Sequence, residues 1–116
     1  MADRYKIEEF LLALKAKILF SDIVYRPREK NAQALADLEI TPLARNGYIE
    51  NLTVEDCFSG PNQNNDEPFK PEFFEFGVNI KNNQVYIKLS LNLPGKPIDC
   101  MSFHVAERSI NYPFKQ

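Results

Sequence analysis

The sequence predicts an α+β fold, with N-terminal helices packed on a small C-terminal antiparallel sheet of three to four strands. Two observations carry this. Ile7, Phe10, Leu11, Leu14 and Ile18 recur at the spacing of a helix that buries one stripe. Later, Val85, Ile87, Leu89, Leu91 and Leu93 alternate with Tyr86, Lys88, Ser90 and Asn92, the period of a strand with one buried face. With 116 residues, 44% hydrophobic and 26% charged, the span 1–116 reads as a single domain able to bury its own core.

The first helix is expected from about Asp3 to Leu19, with Lys6, Glu9, Lys15 and Lys17 mostly opposite the apolar stripe. Ser21 to Pro27 reads as a connector or a short edge strand, because Ile23, Val24 and Tyr25 favour extended backbone and Pro27 steers Arg26 away from helix. A second helix is expected over Asn31 to Glu39. A third, Pro42 to Asn51, starts on a Thr41 cap with proline in the first turn, and Thr53-Val54-Glu55-Asp56 begins one more turn. Phe58 to Pro71 is polar, proline-containing and aperiodic, and is expected to be a mobile loop, either a lid or binding loop or a disordered insertion.

Three strands are expected at Phe73 to Ile80, Val85 to Leu93 and Asp99 to Val105. A two-residue hairpin within Lys81-Asn82-Asn83-Gln84 sets Val78 opposite Ile87 and Phe76 opposite Leu89. Matching Met101, Phe103 and Val105 to the same core face sets Leu89 across from Phe103 and Lys88 across from His104. Phe73, Phe74 and Phe76 are expected in the core and at its rim.

Net charge is −2, with a pI near 5.4, so no broad basic field covers the molecule. Acidic residues gather centrally, from Glu55 and Asp56 through Asp66, Glu67, Glu72 and Glu75, which leaves room for a local basic site elsewhere. Lys15 and Lys17 break the longest apolar stretches, and no basic segment leads into an apolar signal core, so a cytoplasmic location without membrane attachment is expected. Cys57 and Cys100 belong to no CxxC and no histidine cluster. No structural zinc or other metal, and no cofactor, is therefore expected, and two free thiols are expected ahead of a Cys57–Cys100 disulfide.

The non-core sheet face collects Glu75, Gly77, Tyr86, Lys88, Ser90, Cys100, Ser102 and His104, with Gly77 expected opposite Lys88. This set suits phosphodiester cleavage without a metal. A base deprotonates a ribose 2′-OH, a cation stabilises charge on phosphorus, and an acid protonates the leaving oxygen. His104, the only histidine, is the natural acid or base. Lone residues of these types also have plain explanations: a histidine on a solvated face is commonly just polar, an outward lysine guards a sheet against edge pairing, and tyrosine favours strands. Glu107 and Arg108 leave the last strand close to His104, where they could orient it or bind phosphate. Tyr112 and Phe114 read as a tail folded back on the core.

Six blocks in order, Leu52-Thr53-Val54-Glu55-Asp56 with Ser59-Gly60-Pro61, Phe74-Glu75-Phe76-Gly77, Val85-Tyr86-Ile87-Lys88-Leu89, Cys100-Met101-Ser102-Phe103-His104 and Asn111-Tyr112-Pro113-Phe114, resemble the motility quorum-sensing regulator (MqsR-like) toxins. The resemblance spans about Leu52 to Lys115, with a weaker echo from Arg28 to Pro42. It implies a RelE-like fold, metal-independent mRNA cleavage as a toxin of a bacterial type II toxin–antitoxin system, and a cognate antitoxin as partner. It further implies that His104, Lys88 and Tyr86 form the catalytic set, with Arg108, Tyr112 and Ser102 binding RNA. The chain's acidity departs from the basic character usual in RelE-like ribonucleases. The competing reading is a non-catalytic protein-binding module, antitoxin-like or an adaptor.

Overall fold

Side-chain caps start the first and third helices, and none starts the second. Asp3 accepts the Lys6 N–H at 3.2 Å ahead of helix α1, Arg4–Ile18. After strand β1, Ile23–Tyr25, helix α2 runs Glu29–Leu38, two residues earlier than its apolar spacing indicated. Thr41 accepts the Ala44 N–H at 3.1 Å and Pro42 opens helix α3, Pro42–Glu50. Thr53 and Asp56 then close a capping box on a single 3₁₀ turn, Val54–Asp56. The computed structural model describes residues 2–115; none of the helices in this span is long and apolar enough to cross a membrane.

The sheet has more strands than expected, and it is mixed. Beyond β1 it contains β2, Cys57–Asn62; β3, Phe73–Ile80; β4, Asn83–Ser90; and β5, Ile98–Val105. Their order is β1-β5-β4-β3-β2, five strands rather than three or four. All neighbours are antiparallel except β1, which runs parallel to β5 with Ile23 beside Ile98 and Tyr25 beside Cys100. The first third of the expected loop, Phe58 to Asn62, is therefore strand: β2 pairs with β3 through two irregularities, which hid its period. Gly60 sits at φ +148° with the Phe74 ring where a Cβ would go, and its carbonyl accepts the Asp3 N–H at 3.0 Å.

Both hairpin registers differ from expectation by two residues. The first turn is Lys81-Asn82, both at positive φ, with Asn79 accepting the Asn82 N–H at 3.0 Å and Lys81 Nζ bonded to the Glu39 carbonyl at 2.6 Å. Phe76 consequently faces Ile87 and Val78 faces Val85, while Gly77 faces Tyr86 and Glu75 faces Lys88. On the other side, Tyr86 faces His104, Ile87 faces Phe103 and Lys88 faces Ser102. A shift of two preserves which face each side chain takes. One bulge does change a face: the pairing slips between Lys88 and Leu89, so Leu89 meets Cys100 and Met101 is the extra residue. Cys100 thus enters the main core cluster, and Met101, expected to be buried, is buried at 4% exposure but outside that cluster, against the cavity beside Lys88.

α1 contributes Ile7, Phe10, Leu11 and Leu14 to the core, α2 Ala34 and Leu38, and α3 Ile49. These cover the sheet face formed by Phe74, Phe76, Ile87, Leu89, Cys100 and Phe103. Phe10 stacks on Phe74 with ring centroids 4.2 Å apart. Cys57 and Cys100 are both free and buried; burial pushes the Cys57 thiol up to about 11 and raises that of Cys100 further.

α2 is fastened to β5 by one side chain. β1 covers only Ile98 to Cys100, which leaves the outer edge of β5 bare beyond that point. Asn31, 3% exposed, replaces the missing strand: its Oδ1 accepts the Phe103 N–H at 2.9 Å, and its Nδ2 donates to the carbonyls of Met101 at 3.2 Å and Arg26 at 3.0 Å. This bond set brings Arg28 and Lys30, at the start of α2, to the open face of the sheet.

Candidate functional site

With the helices on one face, the other face of β3, β4 and β5 stays open, and it carries the polar half of each alternating strand. It floors a cleft of about 740 Å³. Tyr86 and Lys88 from β4, Ser102 and His104 from β5, and Glu75 from β3 all line it, and Arg108 closes one side from the segment after β5. Five of the six side chains expected at the site therefore meet. The sixth, Tyr112, does not line the cleft. Its hydroxyl accepts a hydrogen bond from Gln84 Nε2 at 3.2 Å, and it lies over Gly77, where a Cβ would stand 2.2 Å from the Tyr112 oxygen. The space left by Gly77 holds the tail. Gln84 also accepts the Ile110 N–H at 3.2 Å, fixing the segment that walls the cleft.

A methyl group at position 77 must displace Tyr112 and Ile110, both in that wall's support. Gly77→Ala is expected to fold, with loss of about 1 kcal/mol or less because Tyr112 can swing away, yet to loosen residues 106–114. Faster amide exchange confined to that segment is the readout; unchanged exchange would show that the tail is held elsewhere.

His104 is half-buried, and its Nδ1 lies 3.0 Å from the Val105 carbonyl. A carbonyl only accepts, so in the neutral ring Nδ1 carries the proton and Nε2 keeps a lone pair. The Tyr86 ring packs against His104 at 5.5 Å and against Phe58 at 6.0 Å. The Tyr86 hydroxyl donates to Glu75, and its pKa is raised, first by burial and then by that carboxylate. Tyr86 is thus a neutral donor and not a base. Lys88 stands over the Phe73 ring, 4.2 Å from its centroid, and makes no ion pair among the described residues.

Sequence reasoning missed Arg28 at the N-cap of α2, Lys30 within α2 and Phe58 from β2, which all line the cleft. Lys30 pairs with Glu107, which holds the Glu107 carboxyl below its usual range and ties α2 to the segment after β5. Arg28, Lys30, Lys88 and Arg108 face the cleft, against only Glu75 and Glu107. A chain of net charge −2 thus carries a local surplus of positive charge around its one histidine. Such a cleft can bind a polyanion and move a proton at its centre. The chain matches no protein-family model, no curated protein and no solved structure.

Proposed function

We propose that this protein is a toxin of a bacterial type II toxin–antitoxin system, a metal-independent mRNA endoribonuclease of the MqsR-like kind, neutralised by a cognate antitoxin. The observation that carries the reading is the cleft, where the only histidine, a lysine without a carboxylate partner among the described residues and two arginines converge on an open sheet face. The RelE-like relationship belongs to the same proposal. It is supported by helices covering one face of a sheet whose other face floors the open cleft, and it has to accommodate the parallel edge strand β1.

The chemistry follows from the side chains. His104 Nε2 takes the proton of a ribose 2′-OH, and the 2′-oxygen bonds to the adjacent phosphorus. The bond from phosphorus to the 5′-oxygen breaks, which leaves a 2′,3′-cyclic phosphate and a 5′-hydroxyl. Lys88 and Arg108 offset the charge that builds on the phosphoryl oxygens, and the Lys88 ammonium is the proton source for the leaving oxygen. Tyr86, fixed by Glu75, holds the histidine ring in place, and Ser102 beside Lys88 donates to phosphate.

Growth of a bacterial host after induced expression tests the reading. Wild type is expected to arrest growth, and Lys88→Ala to relieve the arrest at equal protein level, because Lys88 lies off the core. Arrest by a folded Lys88→Ala protein would remove Lys88 from the site, and no arrest by either would favour the binding-module reading.

A further inference from the structure

Lys88 divides the open face into two chambers. Beyond it lies a second cavity of about 270 Å³, which shares Arg28 and Lys88 with the cleft; Gln63, Asn64, Asn65 and Phe73 line it together with Met101 and a charged wall of Arg26, Asp66 and Glu67. We propose that this cavity is a nucleobase pocket that receives the nucleotide next to the scissile phosphate and sets the sequence preference of cleavage. The inference rests on the RNA-cleaving reading of the adjoining cleft.

Its lining differs in kind from that of the cleft. Three consecutive side-chain amides stand there, and amides read base edges because each offers a donor and an acceptor side by side. Asn64 is 3% exposed, yet its Nδ2 has no hydrogen-bond partner. A buried donor of this type ordinarily has one, and a base acceptor in the cavity would supply it once the side chain adjusts. Phe73 offers an aromatic face beside the amides, and Asp66 adds an acceptor suited to an exocyclic amine.

A pocket for phosphate alone would need free cations, and the third cation here is not free. Arg26 donates from Nε and Nη2 to Asp99 at 3.0 and 2.7 Å, and from Nη2 to Glu67 at 2.9 Å. The same contacts make the loop a fixed wall. Glu67 is held by Lys70 at 2.9 Å as well as by Arg26, and its carboxyl is lowered by those two bonds. Arg28 and Lys88, at the boundary, are placed to hold the phosphate that joins a base in this cavity to a ribose in the cleft. The volume is below the roughly 300–1,000 Å³ of pockets for drug-sized ligands and suits one planar base.

Titration of the four nucleoside 3′-monophosphates and of inorganic phosphate, followed by amide NMR shifts, tests this on the intact chain. One nucleotide is expected to bind more tightly than the other three and than phosphate, with shifts at Gln63 to Asn65. Asn64→Ala and the exposed-site variant Gln63→Ala are each expected to reduce that preference about tenfold, without changing phosphate binding. Among the described residues the Asn64 Nδ2 has no hydrogen-bond partner, so its removal strands no acceptor there. Equal binding of all four nucleotides and phosphate, or a preference that both amide variants leave intact, overturns the pocket. RNA cleavage by a protein without base preference would overturn the pocket alone. Base-selective binding by a protein that cleaves no RNA would keep the pocket and remove the cleavage reading.

Discussion

Under the proposed function, His104→Ala is expected to lower RNA cleavage about 100- to 10,000-fold, the range of a positioned proton-transfer group, and to leave the protein folded. The expectation of a folded variant comes from the ring's surroundings. His104 is half-buried on the open face, it bonds only a neighbouring carbonyl through Nδ1, and its packing on Tyr86 contributes about 1 kcal/mol. The expectation of a large loss comes from composition, since the sequence holds no second histidine to take over. Single-turnover cleavage of an oligoribonucleotide by both proteins, with thermal unfolding as a control, measures it. A loss below about threefold in a folded variant would assign the base role to another group. His104→Gln should be as inactive as the alanine variant, because an amide nitrogen can donate a hydrogen bond but cannot accept the 2′-OH proton.

The largest effect on stability is expected at Asn31. Asn31→Leu keeps the branched shape but deprives the Phe103 N–H and the Met101 carbonyl of their partners, both in buried surroundings, and frees the part-buried Arg26 carbonyl as well. Each stranded buried group costs about 1–3 kcal/mol, so the variant should lose about 2–6 kcal/mol. That is a large part of the roughly 5–15 kcal/mol typical of a whole domain. Thermal unfolding should fall by about 10 °C or more. Asn31→Asp retains the bond from Phe103 but sets carboxylate lone pairs against two carbonyls, and should fare little better. A change under 1 kcal/mol for Asn31→Leu would mean that water or a shift of α2 satisfies the edge of β5. The consequence reaches the site, because α2 brings Arg28 and Lys30 to the cleft.

The helices were legible because caps and apolar spacing agree. Asp3, Thr41 and the Thr53–Asp56 pair mark starts that the structure uses, and β1 appears where Ile23 to Tyr25 favoured extended chain. The parallel pairing of β1 with β5 was not legible, since nothing local to either strand encodes it. β2 escaped because bulges and Gly60-Pro61 erase its alternation. The turn was placed one residue late because Asn82-Asn83 looked the better left-handed pair. Lys81 takes that conformation instead, tied through its ammonium to the end of α2.

The composition of the site survived those errors for a geometric reason: a slip of two residues changes partners but not faces. Tyr86, Lys88, Ser102 and His104 thus came together as the alternation alone required. Cys100 entered the core, and Met101 came to line the cavity beside Lys88 while staying buried, because a single extra residue in β5 reverses the alternation before it. Arg28, Lys30 and Phe58 lie far from the site's strands in the chain or on an unrecognised strand, and no local pattern could bring them in. The basic surplus of the cleft was hidden for the same reason.

The most direct test is to map RNA 5′ ends in a bacterial host after induced expression of wild type and of His104→Ala. The proposed function predicts new 5′-hydroxyl ends with wild type, recurring at a shared sequence, and their absence with the folded variant. New ends that persist with His104→Ala, or no new ends with wild type while the protein accumulates, would contradict an RNA-cleaving site on this sheet face.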